Sequence, residues 1–139
     1  MNSKYEISTK ENREFLKASC EELLNFGHRF PSPNGGSYYL GDDGTPWKDR
    51  NRETWITCRM AHVYSLGLML GHEGSGELAD AALKGLKGEL HDEKNGGWYA
   101  GVTPEGGIVP NKQCYAHAFV ILAASSALTA GRCRGERAP

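Results

Sequence analysis

The sequence predicts an all-α fold assembled from helical hairpins, and three observations carry that expectation. Four windows repeat apolar residues at helical spacing, and each is closed by a cap residue or a glycine. The connections between them are Gly-, Pro- and Asp-rich and have room only for short strands or hairpin-like loops. Gly35-Gly36 and Gly96-Gly97 stand sixty-one residues apart, each followed by paired aromatics, so the two halves repeat one plan of helix, long loop, helix and short break.

The first helix is expected over Lys10 to Phe26, with Ser8 and Glu11 as a capping box and Leu16, Cys20, Leu23 and Leu24 as its apolar stripe. From His28 to Arg52 runs a long loop, in which Ser37 to Leu40 reads as a short strand and Asp42-Asp43-Gly44 as a turn. The second helix spans Glu53 to Leu70. Ser75 caps a third, Gly76 to His91, whose buried face is Ala79, Ala82, Leu83, Leu86 and Leu90 and whose Gly85 and Gly88 permit close contact. Thr103 to Gly106 reads as a hairpin turn within the connection from Asp92 to Pro110, and Asn111 caps a fourth helix that Gly131 stops near Ala130. Hairpins of this kind bury their apolar faces only by stacking on neighbours, and such stacks usually exceed two units. Residues 1–131 therefore read as part of a larger helical array, and 132–139 as an unpatterned tail that a truncation or frameshift would explain.

Composition narrows the class. The 139 residues are 39% hydrophobic and 24% charged with a net charge of -1, an ordinary globular balance with no basic, aromatic-interleaved face for nucleic acid. The amino-terminal stretch lacks the apolar core of a signal peptide and no charge-free apolar run has membrane-spanning length, so a cytoplasmic protein is expected. Cys20, Cys58, Cys114 and Cys133 are widely spaced, as reduced thiols would be. Cys58 with His62, and Cys114 with His117, have helical spacings that would suit two metal ligands, but no CxxC or HExxH completes a site, and no metal is expected.

The second helix holds the chemistry. Trp55, Arg59, His62 and Leu66 share one face of a helix that is apolar around most of its circumference. An unpaired buried cation costs several kcal/mol, so Arg59 is expected to open onto a polar cavity. Trp55, one turn earlier, would form a wall beside it. His62 reads as a core histidine. His117, near the start of the fourth helix, sits where the helix dipole keeps an imidazole neutral. Trp98 and Tyr99 are expected to pin their loop, and His91, Asp92 and Glu93 to form a solvated helix end.

Three segments, TWITCRMAHVYSLGLMLG from Thr54, LKGLKGELHDEKNGGWYAGVTPEG from Leu83 and KQCYAHAFVILAASSALTAG from Lys112, resemble the N-terminal part of the N-acylglucosamine 2-epimerase superfamily, most of all its mannose and sulfoquinovose aldose-ketose isomerase branch. The resemblance implies an (α/α)6 barrel of which about two of six helix pairs are present, at a repeat of roughly 60 residues. It implies proton transfer at C2 of an open-chain aldose through an enediolate, with no cofactor or metal. The family's proton-shuttling histidines and assisting Glu lie in later hairpins, so no catalytic residue is assigned here and a fragment inactive by itself is expected. Substrate-binding positions carried over are Arg59, Trp55, Tyr115 and His117. The implied partner is a mannose-like monosaccharide, with neither nucleic acid nor membrane, and open apolar helix faces would favour self-association. The alternative is a non-catalytic helical-repeat module binding carbohydrate or protein. A glycoside hydrolase relative ranks last, because Asp42, Asp43 and Glu105 all fall in turn sequence.

Overall fold

A computed structural model describes residues 3–132. A 3-10 turn, Ser3–Tyr5, precedes four helices: α1 Lys10–Gly27, α2 Thr54–Met69, α3 Ser75–Lys87 and α4 Cys114–Thr129. The long loops carry five two-residue strands: β1 Tyr39–Leu40, β2 Pro46–Trp47, β3 Arg52–Glu53, β4 Gly101–Val102 and β5 Ile108–Val109. β1 and β2 form an antiparallel hairpin, and β3, β4 and β5 an antiparallel sheet in that order. The expected turns are present: Gly44 N–H donates to Gly41 O at 2.9 Å, and Gly106 N–H to Thr103 O at 3.0 Å.

Several boundaries differ from expectation for identifiable reasons. Thr9, not Ser8, caps α1, its Oγ1 accepting from Asn12 N at 3.1 Å. Glu53 lies in β3 and is the N-cap of α2, because Arg52 and Glu53 pair with Val102 and Gly101 before the helix starts. Ser75 is already helical, preceded by Gly74 at φ 76°. α3 ends at Lys87 rather than His91, since Gly88 leaves helical space at φ -107°, ψ -118°. Gln113, not Asn111, precedes α4. Gly71 and Gly131 close α2 and α4 in the same way: at each the following residue bonds back five positions, His72 N–H to Gly67 O at 2.9 Å and Arg132 N–H to Ala127 O at 2.8 Å. Each is a left-handed glycine stop.

Helix α2 is the centre, packed along its length on α3 and α4 and touching α1 only briefly. The tightest hairpin is thus α2–α3, across the short break, with α4 laid beside α2. Alanines make this seam close: Ala61, Ala79, Ala82, Ala123 and Ala127 are all fully buried, with Cys58, Leu83, Leu86 and Tyr64 filling between. Burial pushes the Cys58 thiol up to about 12, so it acts as a small hydrophobe. The stripe expected on α1 is a correction. Only Leu24 of the four is buried, whereas Leu16, Cys20 and Leu23 are exposed, because α1 touches α2 only briefly. Of the expected tail, 133–139, with Cys133, falls outside the described residues; Arg132 donates from Nε to Asp80 Oδ1 at 2.9 Å and so ties the end of α4 to α3.

The sixty-residue repeat is written into the backbone hydrogen bonds. In the first long loop Tyr38 N–H donates to Phe30 O at 2.9 Å and Ser32 N–H to Gly36 O at 3.0 Å; in the second, Tyr99 N–H donates to Leu90 O at 2.9 Å and Asp92 N–H to Gly97 O at 2.8 Å. Each loop then gives one N–H to the helix that follows it, α2 or α4: Ser37 N–H to Thr57 Oγ1 at 3.0 Å, and Trp98 N–H to His117 Nε2 at 3.1 Å.

Candidate functional site

The first turns of α2 and α4 come together at the end of the molecule where the long loops lie, bringing Trp55, Arg59, Tyr115 and Phe119 into one cluster. The Arg59 guanidinium lies over two ring faces, 4.8 Å from the Trp55 centroid and 5.0 Å from that of Phe119. Its Nη2 reaches the Tyr115 hydroxyl at 3.4 Å, and the Trp55 and Tyr115 rings are 6.0 Å apart. No carboxylate among the described residues lies within ion-pair distance of Arg59. A guanidinium held by π-faces keeps most of its in-plane N–H donors for a ligand. Arg59 itself stands exposed on the open wall that these rings make.

The wall continues through two residues that the sequence did not single out. Glu53 accepts from Trp55 Nε1 at 3.0 Å and from the Tyr39 hydroxyl, both on Oε2. Burial first, then the hydrogen bond to Glu53 and the charge of that carboxylate, raise the Tyr39 pKa well above the usual phenol range, against the opposing pull of Arg50 and Arg59. Tyr39 therefore remains a donor at neutral pH. The Tyr39 ring meets Trp55 edge-on at 6.5 Å, so Glu53 and Tyr39 together set the tilt of the wall beneath Arg59. One signal was available: Glu53 immediately precedes T-W-I-T, where an acidic residue is favoured at a helix start. The link to Tyr39 is a tertiary contact that local pattern does not contain.

His117 sits differently. Its Nε2 accepts from Trp98 N–H and its Nδ1 donates to Gln113 O at 2.8 Å, which fixes the neutral Nδ1–H tautomer and occupies both nitrogens with backbone partners. Trp98 in turn donates from Nε1 to Leu86 O at 2.7 Å and meets the imidazole edge-on, so the expected pinning of this loop is present. His62 bridges the inner helices, its Nδ1 2.6 Å from the hydroxyl of Ser126, which itself donates to Leu122 O. Asp92 corrects the expectation of a solvated helix end. It is buried, its Oδ1 accepts from Lys94 and Asn95 N–H at 3.2 and 3.0 Å, and its Oδ2 pairs with Lys112 Nζ at 2.7 Å. The sequence also passed over Arg52, a buried cation that donates to Ser32 Oγ at 2.6 Å and Gly35 O at 3.2 Å and pairs with Glu89 Oε2 at 2.6 Å. Among the described residues no group of three or more His, Cys, Asp or Glu side chains is arranged around a common point for a metal, and no helix is long and apolar enough to cross a membrane.

Inner and outer helices with loops gathered over one end are the architecture of an (α/α)6 barrel of the sugar-epimerase type, of which this chain supplies a part. A D-mannose isomerase crystal structure superposes with a TM-score of 0.76 at 24% identity, covering 91% of this chain and 32% of that one. The cellobiose 2-epimerase of Bacillus thermoamylovorans B4167 gives a TM-score of 0.68 at 27% identity over 83% of this chain and 31% of its own. The family model described as N-acylglucosamine 2-epimerase (GlcNAc 2-epimerase) matches residues 35–138, and the chain belongs to that family. A D-mannose isomerase of Thermobifida fusca is 38% identical over 122 residues, and one of Pseudomonas cannabina pv. alisalensis 36% identical over 126, covering 87% and 91% of this chain. The chain spans 30% of the length of each of these relatives.

Proposed function

We propose that this chain forms one wall of a monosaccharide pocket in an aldose-ketose isomerase or 2-epimerase, on a mannose-like substrate that loses and regains a proton at C2 through an enediolate. The observation that carries this reading is the exposed Arg59 guanidinium, held on Trp55 and Phe119 with the Tyr115 hydroxyl beside it and no neutralising carboxylate among the described residues. In that role the in-plane donors of Arg59 bind sugar oxygens near the reacting carbons, where negative charge gathers on the enediolate, and Trp55 and Tyr115 line the C–H faces of the sugar. Glu53 and Tyr39 hold Trp55 in place. His117, with both nitrogens engaged by backbone, supports the wall by latching the second loop rather than by touching sugar.

The groups that move the proton are not assigned to any residue of this chain, so the isolated chain, in a cytoplasmic setting, binds sugar weakly and turns none over. Purified chain should show no mannose-to-fructose conversion, while titration with mannose should shift NMR signals of the Trp55 and Tyr115 rings. Arg59→Ala should abolish those shifts with helical content unchanged. Turnover proportional to protein, or ring shifts that survive Arg59→Ala, would overturn the assignment; the second result would favour a binding module using another face.

A further inference from the structure

The repeat leaves one charge at the candidate site unexplained. Thr57 and His117 hold equivalent places sixty residues apart, which makes Glu53 the counterpart of Gln113, Trp55 of Tyr115 and Arg59 of Phe119. Glu53 and Gln113 are the N-cap residues of α2 and α4, both in extended backbone and neither bonded through its side chain to the helix it precedes. Since α4 starts with a neutral amide at this place, the scaffold does not require a carboxylate at the start of α2. That carboxylate is also used unevenly. A carboxylate offers acceptor sites on two oxygens, yet Trp55 Nε1, at 3.0 Å, and the Tyr39 hydroxyl both donate to Oε2 of Glu53. Among the described residues Oε1 takes no donor, and no cationic side chain lies within ion-pair distance of Glu53. Nor is Oε1 enclosed, because the one fully buried side-chain polar atom without a partner among the described residues is Ser65 Oγ. Oε1 is therefore an acceptor open to solvent beside the Nε1 edge of the Trp55 ring, whose face carries the Arg59 guanidinium at 4.8 Å.

We propose that Glu53 touches the sugar directly, its Oε1 accepting from a hydroxyl on the part of the chain away from C1 and C2. The inference rests on the reading of Arg59 as a sugar-binding residue. The two charges on the one indole set the direction of the sugar. Arg59 favours the oxygens on which enediolate charge gathers, whereas a carboxylate at those oxygens would oppose that charge, so Glu53 takes a hydroxyl that stays protonated through the reaction. A hydroxyl donating to a carboxylate makes a charge-assisted bond, stronger than one between neutral groups. An aldose bound the other way round would set its developing charge against Glu53. A sugar carrying an anionic substituent on the hydroxyl that Glu53 takes would offer it no donor and meet like charge. The site is thus one for a neutral aldose whose far hydroxyl is free, and Glu53 is a specificity-determining residue as well as a support for Trp55.

Titration of the purified full chain with mannose, followed by NMR, tests it. In the wild-type chain the carboxyl-carbon signal of the Glu53 side chain should move with added mannose along the same curve as the Trp55 ring signals. Glu53→Gln puts the residue of the second repeat in the first. Its amide oxygen still accepts from Trp55 and Tyr39, while its amide nitrogen turns the open acceptor into a donor. Mannose affinity should fall about tenfold or more, with helical content and the Trp55 indole N–H signal of the free variant as in the wild type. Equal affinity in wild type and Glu53→Gln overturns the proposal and leaves the reading of Arg59 standing. So does an indole signal displaced in the free variant together with the loss of affinity, which makes Glu53 a support for Trp55 alone. Should Glu53→Gln fail to fold, the wild-type carboxyl-carbon signal decides, and one that stays fixed while the Trp55 ring responds overturns the proposal. A wild-type chain in which mannose shifts no signal overturns the reading of Arg59 itself, and this inference with it.

Discussion

The loop from Phe30 to Tyr38 and the loop from Leu90 to Tyr99 share one backbone plan and differ in what holds them down. The first is clamped by contact. Gly36 N–H donates to Ala81 O at 3.1 Å, and a Cβ built on Gly85 would lie 2.3 Å from Gly36 N, so loop and helix α3 meet backbone to backbone. The second is clamped by side chains, with Asp92 and Lys112 on one flank and His117 and Trp98 on the other. Lys112 Nζ also donates to Gly96 O at 2.5 Å. Steric fit to α3 thus adds, in the first half, to the polar bonds that Arg52 makes to Ser32 and Gly35, whereas the second half relies on its side-chain latches. The latched loop leads into α4, which carries Tyr115 and Phe119, while the clamped loop leads into β1, where Tyr39 contacts Glu53.

The largest effect that would break this comparison comes from the paired glycines. Gly35 and Gly96 both hold left-handed backbone, at φ 91° and 73°. A Cβ at Gly35 would meet Gly85 N at 2.5 Å, whereas one at Gly96 meets nothing within 4 Å. Gly96→Ala should therefore cost only the left-handed penalty of roughly 1 to 2 kcal/mol. Gly35→Ala adds an overpacking term with no side chain able to yield, for a total on the order of 4 kcal/mol. Urea unfolding of the two variants checks this, and equal midpoints would mean that the first loop is not sterically clamped.

The repeat was legible because Gly-Gly followed by two aromatics is a local pattern, and the four helices because their cores recur at helical spacing. The seat of Gly35 on Gly85 was not, since glycines in a loop and in a helix fifty residues apart announce no contact. The same limit hid β3, whose partner Gly101–Val102 lies some fifty residues downstream, and with it the ladder that turns Glu53 from a helical residue into a strand end and cap. Periodicity also marked the stripe on α1 correctly as apolar but could not say how little of it α2 would cover. At the candidate site, Arg59 and Trp55 were marked by their shared helix face and by motif resemblance, and Tyr115 by resemblance alone. Glu53 and Tyr39 are joined only by folding.

A smaller effect separates the two acceptors of the loop N–H groups. Thr57 is fully buried and its Oγ1 satisfies Ser37 N–H, so Thr57→Ala strands a buried donor and should cost about 1 to 3 kcal/mol. His117 is only half-buried, and in His117→Ala water can reach Trp98 N–H, so about 1 kcal/mol is expected. Amide exchange gives the sharper reading: Trp98 N–H should lose most of its protection in His117→Ala while Ser37 N–H keeps its own, and the reverse should hold for Thr57→Ala. Simultaneous loss at both amides in either variant would mean that the loops are latched together rather than each to its own helix.

The smallest effect should appear in acid and in the second loop alone. The hydrogen bond from Lys112, followed by that from Asn95 N–H, holds the Asp92 carboxyl well below the usual carboxylate range against the opposing effect of burial. A carboxylate whose folded pKa lies below its unfolded value, roughly 3.9, stabilises the fold fully above that value and loses the contribution as pH falls through the folded pKa. Lys112 is one-third exposed and remains hydrated, which keeps the pairing modest. Asp92→Asn preserves the acceptor for Lys94 and Asn95 N–H but removes the charge facing Lys112. The stability difference between wild type and this variant should be constant from neutral pH down to about 4 and then close as the medium becomes more acidic. The first loop has Ser32 where the second has Asp92, so Ser32→Ala should leave the acid limb of the unfolding curve where it is. If Asp92→Asn tracked the wild type in parallel down to the lowest pH, the charge on Asp92 would not be what holds the second loop.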